Sequence, residues 1–385
     1  MRSTYAPLGT RLGSLAACVA IAASNGCKSG TSDSTQWSSK SQSTTRGPAA
    51  PAVGDALPTP TTPPPPAAPS SEPIPVGDPA ALRTRAISIL EELSRNEWAQ
   101  VRANAIEALR GAPATLDVVA ARALVDPNRG VRYTAARTLA LSHRCDVVHL
   151  AEPLLNDPSD SVRAAAITFL ALCGRNPDQS PLARMVMSDD PEVRANAYVA
   201  LGDIGNKSAV GLIRASLGHG LELVPANRLK IVNLQAAEAL ALLGDPLERE
   251  PIRAALFAPP EQGELTVLAC QMVGELRDER SAPLLYRLFE VKEGYVRPPE
   301  IRLAAVTALA RISAGQLTPQ EVERLLVEIR PTIMSPDPGV RAQAATALAA
   351  VGGPESVRLI GALLGDAHPV VRAAAAGGVL VLVQP

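Results

Sequence analysis

The chain has 385 residues, 37 basic against 38 acidic, a formal charge of -1 and a sequence pI near 6.5. That balance supplies no basic footprint for the many phosphate contacts nucleic acid requires, so no nucleic-acid partner is expected. Aromatic residues are 3% of the chain, which argues against a sheet built on β-branched and aromatic side chains. The abundant Ala and Leu instead suit closely packed helices, and the expected fold class is all-α.

In chain order, Arg2 and Arg11 give a basic start, and Leu12 to Ser24 form an uncharged, largely apolar run. The run is about 13 residues long, short of the roughly 20 a spanning helix requires. It ends in Ser24-Asn25-Gly26-Cys27. Residues 1–27 resemble a bacterial lipoprotein signal peptide, and the resemblance implies cleavage before Cys27 and lipidation of that residue. Ser24 departs from the Leu such signals prefer. Leu15-Ala16-Ala17-Cys18 is the better local motif, but cutting there would leave an apolar run behind. Acyl chains at one end imply a stable membrane partner. Lys28 stands where an Asp would imply inner-membrane retention, so the resemblance points to a periplasm-facing envelope location, with the outer membrane favoured.

Residues 28–78 are expected to form a disordered linker. They are Ser/Thr-rich to about Thr45 and then Pro/Ala-rich, with eleven prolines between Pro48 and Pro75. Blocked backbone donors and low hydrophobicity favour a polyproline-like spacer. Its extended reach is roughly 160 Å at about 3.1 Å per residue.

From about residue 79 the pair Val-Arg or Ile-Arg recurs. It stands at Val101-Arg102, Val131-Arg132, Val162-Arg163 and Val193-Arg194, then at Ile301-Arg302, Val340-Arg341 and Val371-Arg372. The opening spacings are 30, 31 and 31 residues, and the last is 31. A fixed period of this size marks a stack of repeats, each touching only its neighbours. Such a stack makes a long surface and usually no deep pocket. The clearest unit is DPSDSVRAAAITFLALCG at 157–174. Asp-Pro makes a turn and starts a helix, and Val162, Ala166, Phe169 and Leu170 form its buried stripe. Gly174, Gly202, Gly205 and Gly352 suit helix ends. Second apolar segments such as 116–124, 147–155 and 282–289 give two antiparallel helices per unit.

These units resemble HEAT repeats, particularly the short variety of bilin-lyase subunits. The resemblance covers about 79–385 and implies an Asp–Arg ladder along adjacent repeats. Asp126 with Arg132, Asp157 with Arg163, and Asp366 with Arg372 share a six-residue separation. Asp190 with Arg194 and Asp337 with Arg341 are shifted variants, four apart. The middle, LKIVNLQAAEALALL at 229–243 and ELTVLACQMVGEL at 264–276, keeps the apolar period without Val-Arg. Taking Leu234 and Leu265 as its anchors gives about nine inner helices, with insertions around 218–228, 291–299 and 313–334.

Inner helices should line a concave face. The third and sixth places after each anchor hold Asn104 and Glu107, Thr134 and Arg137, Ala165 and Thr168, Asn196 and Val199, then Gln343 and Thr346. These positions either contact a protein or peptide partner or are a solvated helix face. Trp98, Tyr133 and Tyr198 are either interface aromatics or packing between repeats. Cys145 and Cys173 should approach each other within one hairpin. An oxidising periplasm permits a disulfide there, and inert small core residues are the alternative.

The four histidines are His143, His149, His219 and His368, none in a His-Glu pair. An iron hydroxylase of similar architecture carries repeated His-Glu pairs as metal ligands, and this chain departs from that pattern. His143 and His149 with Asp146 and Cys145 are a weak metal pattern, because zinc needs three or four converging ligands. No catalytic residues, cofactor or small-molecule substrate are expected. The function expected is a non-catalytic interaction scaffold tethered at the envelope; a structural spacer and an enzyme's accessory subunit are the alternatives.

Overall fold

A computed structural model describes residues 78–384 apart from 222, 291–293 and 314. The signal-like segment 1–27 with Cys27, and the linker up to residue 77, lie outside the described residues. Helices α1 (Pro79–Leu93) and α2 (Ala99–Ala108) form the first pair, α3 (Pro113–Ala123) and α4 (Arg129–Leu141) the second. A 3-10 segment, Cys145–Asn156, precedes α5 (Asp160–Leu172); Pro153 inside it has no N–H to give to an α-helical bond. Next come α6 (Ser180–Met185) with α7 (Pro191–Ile204), and α8 (Ala209–Ser216) with α9 (Ala226–Leu242). Then follow α10 (Arg249–Ala255) with α11 (Gly263–Glu275), and α12 (Ala282–Tyr286) with α13 (Pro299–Ile312). Finally α14 (Pro319–Ile329) pairs with α15 (Pro338–Val351), and α16 (Gly353–Leu363) with α17 (Pro369–Leu382). The described residues thus form an all-α stack of nine helical pairs.

Two expectations about the middle of the chain need correction. Residues 313–334 are not an inserted loop. They hold the outer helix α14, started by a capping box between Thr318 and Glu321. The anchor of α9 is Val232, two residues before Leu234. Backbone with positive φ recurs twelve residues after the anchors, at His143, Gly174, Gly205, Arg277 and Gly352. Gly244 continues that series only if Val232 is the anchor. The Leu-rich sequence hid the shift, because Val232 and Leu234 are both buried.

Turn chemistry explains the two spacings of Asp and Arg. Asp190 and Asp337 are themselves N-caps, accepting from N–H groups of the first turn. Asp126, Asp157 and Asp366 sit two residues earlier, where each accepts from the N–H of the cap residue: Asn128, Ser159 and His368 respectively. Their carboxylates therefore remain available to the preceding repeat. Arg102 bonds Asp126 through two nitrogens, both at 2.8 Å. Arg132 holds Asp157 and Arg341 holds Asp366 in the same two-pronged way. Towards the turn Asp of its own unit an arginine reaches only the backbone carbonyl, as Arg132 does to Asp126 at 2.8 Å and Arg372 to Asp366 at 3.1 Å.

The stack closes on itself. The last helix, α17, packs against α1 and α2, so the inner helices complete a circle. One apolar core runs through the seam, with Leu90 and Val101 in the same cluster as Leu348 and Val379. Small residues allow the approach: a Cβ on Gly377 would lie 2.9 Å from Ala108 Cβ, and one on Gly111 would lie 2.8 Å from Leu380 Cβ. The Trp98 and His368 rings, each three residues before an anchor, meet at 6.0 Å. An open concave surface of macromolecular size was the expectation from sequence; the closed ring replaces it with a narrow lumen.

Candidate functional site: the lumen and the face at its mouth

The nine inner helices run in the same direction, which gives the ring two unlike ends. Curvature is tight. Arg129 pairs with Glu192 at 3.0 Å and Arg137 with Asp203 at 3.1 Å, joining α4 to α7 across the intervening α5. Inside lies a cavity of about 130 Å³. Its lining runs from Gly339 and Val370 at the helix starts to Arg311 and Thr346 farther along. The expectation that a repeat stack has no deep pocket fails here, because closure encloses space that an open solenoid leaves to solvent.

Of the predicted concave residues, Asn104, Gln343 and Thr346 come together in the cavity wall, beside Gln271, Thr307 and Arg311. The others serve packing or polar pairing away from it. Thr134 is buried. Buried Thr168 donates to the Ala164 carbonyl, and Asn196 donates to Ser161 Oγ at 2.9 Å. With the α9 anchor corrected, Gln235 and Glu238 occupy its third and sixth places, and Gln235 is buried. No such places were expected in this helix from sequence; the Gly244 stop is the signal that locates them.

Past the cavity, towards the helix C-termini, Glu107 stands among charged residues of other helices. Its pKa is pushed up to about 7, chiefly by burial, while Arg110, Arg137 and Arg311 pull it down and Glu275 raises it further. Glu107 retains some surface in the lumen, yet protein surrounds it. Arg311 is bonded to Glu275 at the same end.

The ladder arginines divide. Arg163 turns to Asp160 of its own helix, because the next repeat has Ser188 where a rung Asp would stand. Arg194, 1% exposed, is met by the carbonyls of Ser188, Ser216 and His219. Cys145 and Cys173 form a disulfide with Cα atoms 5.3 Å apart, so the Cys145 sulfur is not available to the weak metal pattern at that turn. Burial pushes the Cys270 thiol up, keeping it protonated. Among the described residues no group of three or more His, Cys, Asp or Glu is placed to hold a metal ion, and no helix is long and apolar enough to cross a membrane.

The end where inner helices begin carries a second feature. Val125, Met187, Tyr295 and Met334 all lie six residues before an anchor, and all are exposed. Trp98, Leu217, Leu223, Phe257 and Val296 occupy the same outer-to-inner connections. Most of the exposed large apolar residues therefore share one annular face. Within it the Arg287 and Arg297 guanidinium groups lie over the Phe257 ring, at 5.2 and 5.8 Å from its centre.

The arrangement is an α-solenoid of HEAT-like helical pairs drawn into a ring. The family profile described as HEAT repeats matches residues 147–226 and 296–379. Among solved structures, the complex of CpcE and CpcF of phycocyanin lyase from Nostoc is 19% identical, covering 68% of this chain and 98% of its own, with a TM-score of 0.40. Human deoxyhypusine hydroxylase in complex with glycerol is 18% identical, covering 70% and 97%, with a TM-score of 0.34. An engineered protein is 18% identical, covering 80% and 92%, with a TM-score of 0.29. No curated protein matches the chain.

Proposed function

We propose that this protein is a non-catalytic scaffold that binds a partner protein through the annular face where the inner helices begin, and that a lipid at Cys27 tethers it to the cell envelope. The apolar face carries the reading. Isolated exposed apolar residues are ordinary, but a recurrent set on one side of a ring is the pattern of an interaction surface. Aromatic, Met and Arg side chains, all present there, are enriched at protein interfaces. A cavity of 130 Å³ is too small for a folded partner, so a macromolecule must meet an outer surface. For the envelope location the support is the segment ending at Cys27, together with a disulfide of the kind that persists in oxidising compartments.

Photo-crosslinkers at Val125 and Met334 in the native cell, with a control at outward-facing Val118, test the face. One stoichiometric protein, captured from the face positions and lost in Val125→Asp and Met334→Asp at unchanged Tm, supports the scaffold. Diffuse or equal capture at Val118 removes it. Incorporation of a palmitate analogue, abolished by Cys27→Ala, tests the tether separately.

A further inference from the structure

Ring closure leaves polar atoms in the lumen without partners. Asn104 is 2% exposed. Its Oδ1 accepts from Gln100 Nε2 at 2.7 Å, while its Nδ2 has no partner and the residue lines the cavity. Across the same cavity Gln343 Oε1 and Arg311 Nε are also buried without partners. The Thr307 and Thr346 hydroxyls donate to the carbonyls of Leu303 and Ala342, which leaves only their lone pairs for anything in the cavity. The remaining wall is apolar, including Val267, Leu303, Ala304, Val370 and Ala374. Buried polar groups are normally paired, so orphaned donors and acceptors on residues that line one space point to an absent occupant.

The inventory of atoms selects its chemistry. Asn104 Nδ2 and Arg311 Nε offer donors; Gln343 Oε1 and the two threonines offer acceptors. A carboxamide satisfies both sets, its oxygen taking the N–H groups and its own N–H groups going to the acceptors. A carboxylate has no proton to give Gln343 Oε1. A plain hydrocarbon leaves Asn104 unpaired. Water can pair with these same groups but leaves the apolar remainder of the wall uncovered, which a hydrocarbon body fills. We propose that the lumen binds a small neutral carboxamide or lactam with a compact hydrocarbon body. The cavity of about 130 Å³ is close to the roughly 150 Å³ apolar cavity known to hold benzene. This site is independent of the scaffold reading.

Benzamide is a suitable probe, with benzoate and toluene as the charged and apolar counterparts. Titration of the full-length protein, followed by calorimetry and methyl NMR, should show one benzamide bound at least tenfold tighter than either counterpart. Asn104→Leu and Gln343→Leu should each weaken benzamide at least tenfold and leave toluene unchanged or tighter. Gln343 is only partly buried, so its variant carries the test if Asn104→Leu fails to fold. Toluene or benzoate matching benzamide, affinity indifferent to the folded variants, or no saturable binding with only ordered water in the lumen each overturns the proposal.

Discussion

Arg83 in the first helix donates to the Val383 carbonyl just beyond the last helix at 2.7 Å, and to the Gly111 carbonyl at 2.5 Å. One side chain thereby ties both ends of the stack together. Replacing it strands carbonyls at a packed seam, and hydrogen bonds from a charged donor contribute roughly 1.5–3 kcal/mol each in such settings. Arg83→Ala should lower Tm and speed amide exchange in α17 and α1 before the rest of the ring. Gly377→Val should do the same by overpacking against Ala108, at about 1–3 kcal/mol. Exchange that stays uniform along the chain in both variants would mean that the seam adds nothing to stability.

The arginine ladder predicts unequal costs for similar substitutions. Arg132 holds Asp157 of the next repeat, whose side chain is 6% exposed, and Arg163 holds only the half-exposed Asp160 of its own helix. Arg132→Ala leaves a nearly buried carboxylate without its cation, costing about 2–4 kcal/mol. Arg163→Ala loses a surface pair and one carbonyl bond, about 0.5–1.5 kcal/mol. Burial works against the Asp157 charge, but the Arg132 bonds and the Ser159 N–H outweigh it, so the carboxyl sits below its ordinary value. A depressed carboxylate gives stability that is present above the unfolded pKa of about 3.9 and lost as pH falls through the folded value. Chemical denaturation should therefore show the gap between wild type and Arg132→Ala widest at neutral pH and narrower near pH 3.

Legibility from sequence followed the strength of each local signal. Val-Arg and Asp-Pro mark seven of the nine inner helices directly, because capping and a buried stripe are written into adjacent residues. Of the residues at the third and sixth places, Asn104, Gln343 and Thr346 line the lumen. The α9 register was lost where apolar residues crowd together and only Gly244 fixes the stop. Closure was not legible at all. It rests on Gly377 meeting Ala108 and on Trp98 meeting His368, pairs some 270 residues apart that no repeat-level pattern connects. Without closure the cavity cannot be foreseen, whereas the apolar face follows from a spacing of six residues before the anchors at Val125, Met187, Tyr295 and Met334.

The disulfide between Cys145 and Cys173 spans 28 residues of one hairpin. Cross-linking a loop of that length stabilises by about 3–4 kcal/mol in the chain-entropy picture. Reduction, or Cys145→Ala with Cys173→Ala, should lower stability by an amount of that order and loosen α5 against the 3-10 segment first. Thiol labelling before and after reduction checks the bond itself. Two free thiols in the protein isolated under oxidising conditions would contradict it.

Glu107 gives the last prediction, and its sign is opposite to that of the ladder carboxylates. Its pKa stands near 7 against an ordinary 4.5, burial being the main cause. The folded state therefore holds this proton more tightly than the unfolded chain does. Its contribution is complete below about pH 4.5 and is lost as pH rises through 7. Glutamine keeps the shape and hydrogen-bonding capacity of the protonated acid and cannot ionise. Glu107→Gln should match wild type at pH 5 and exceed it by about 1–2 kcal/mol at pH 8, a figure reduced for the solvent that reaches the lumen. Denaturation midpoints at both pH values read the effect directly. Parallel pH profiles would show that Glu107 is ionised throughout, with Arg110, Arg137 and Arg311 outweighing the cost of burying its charge.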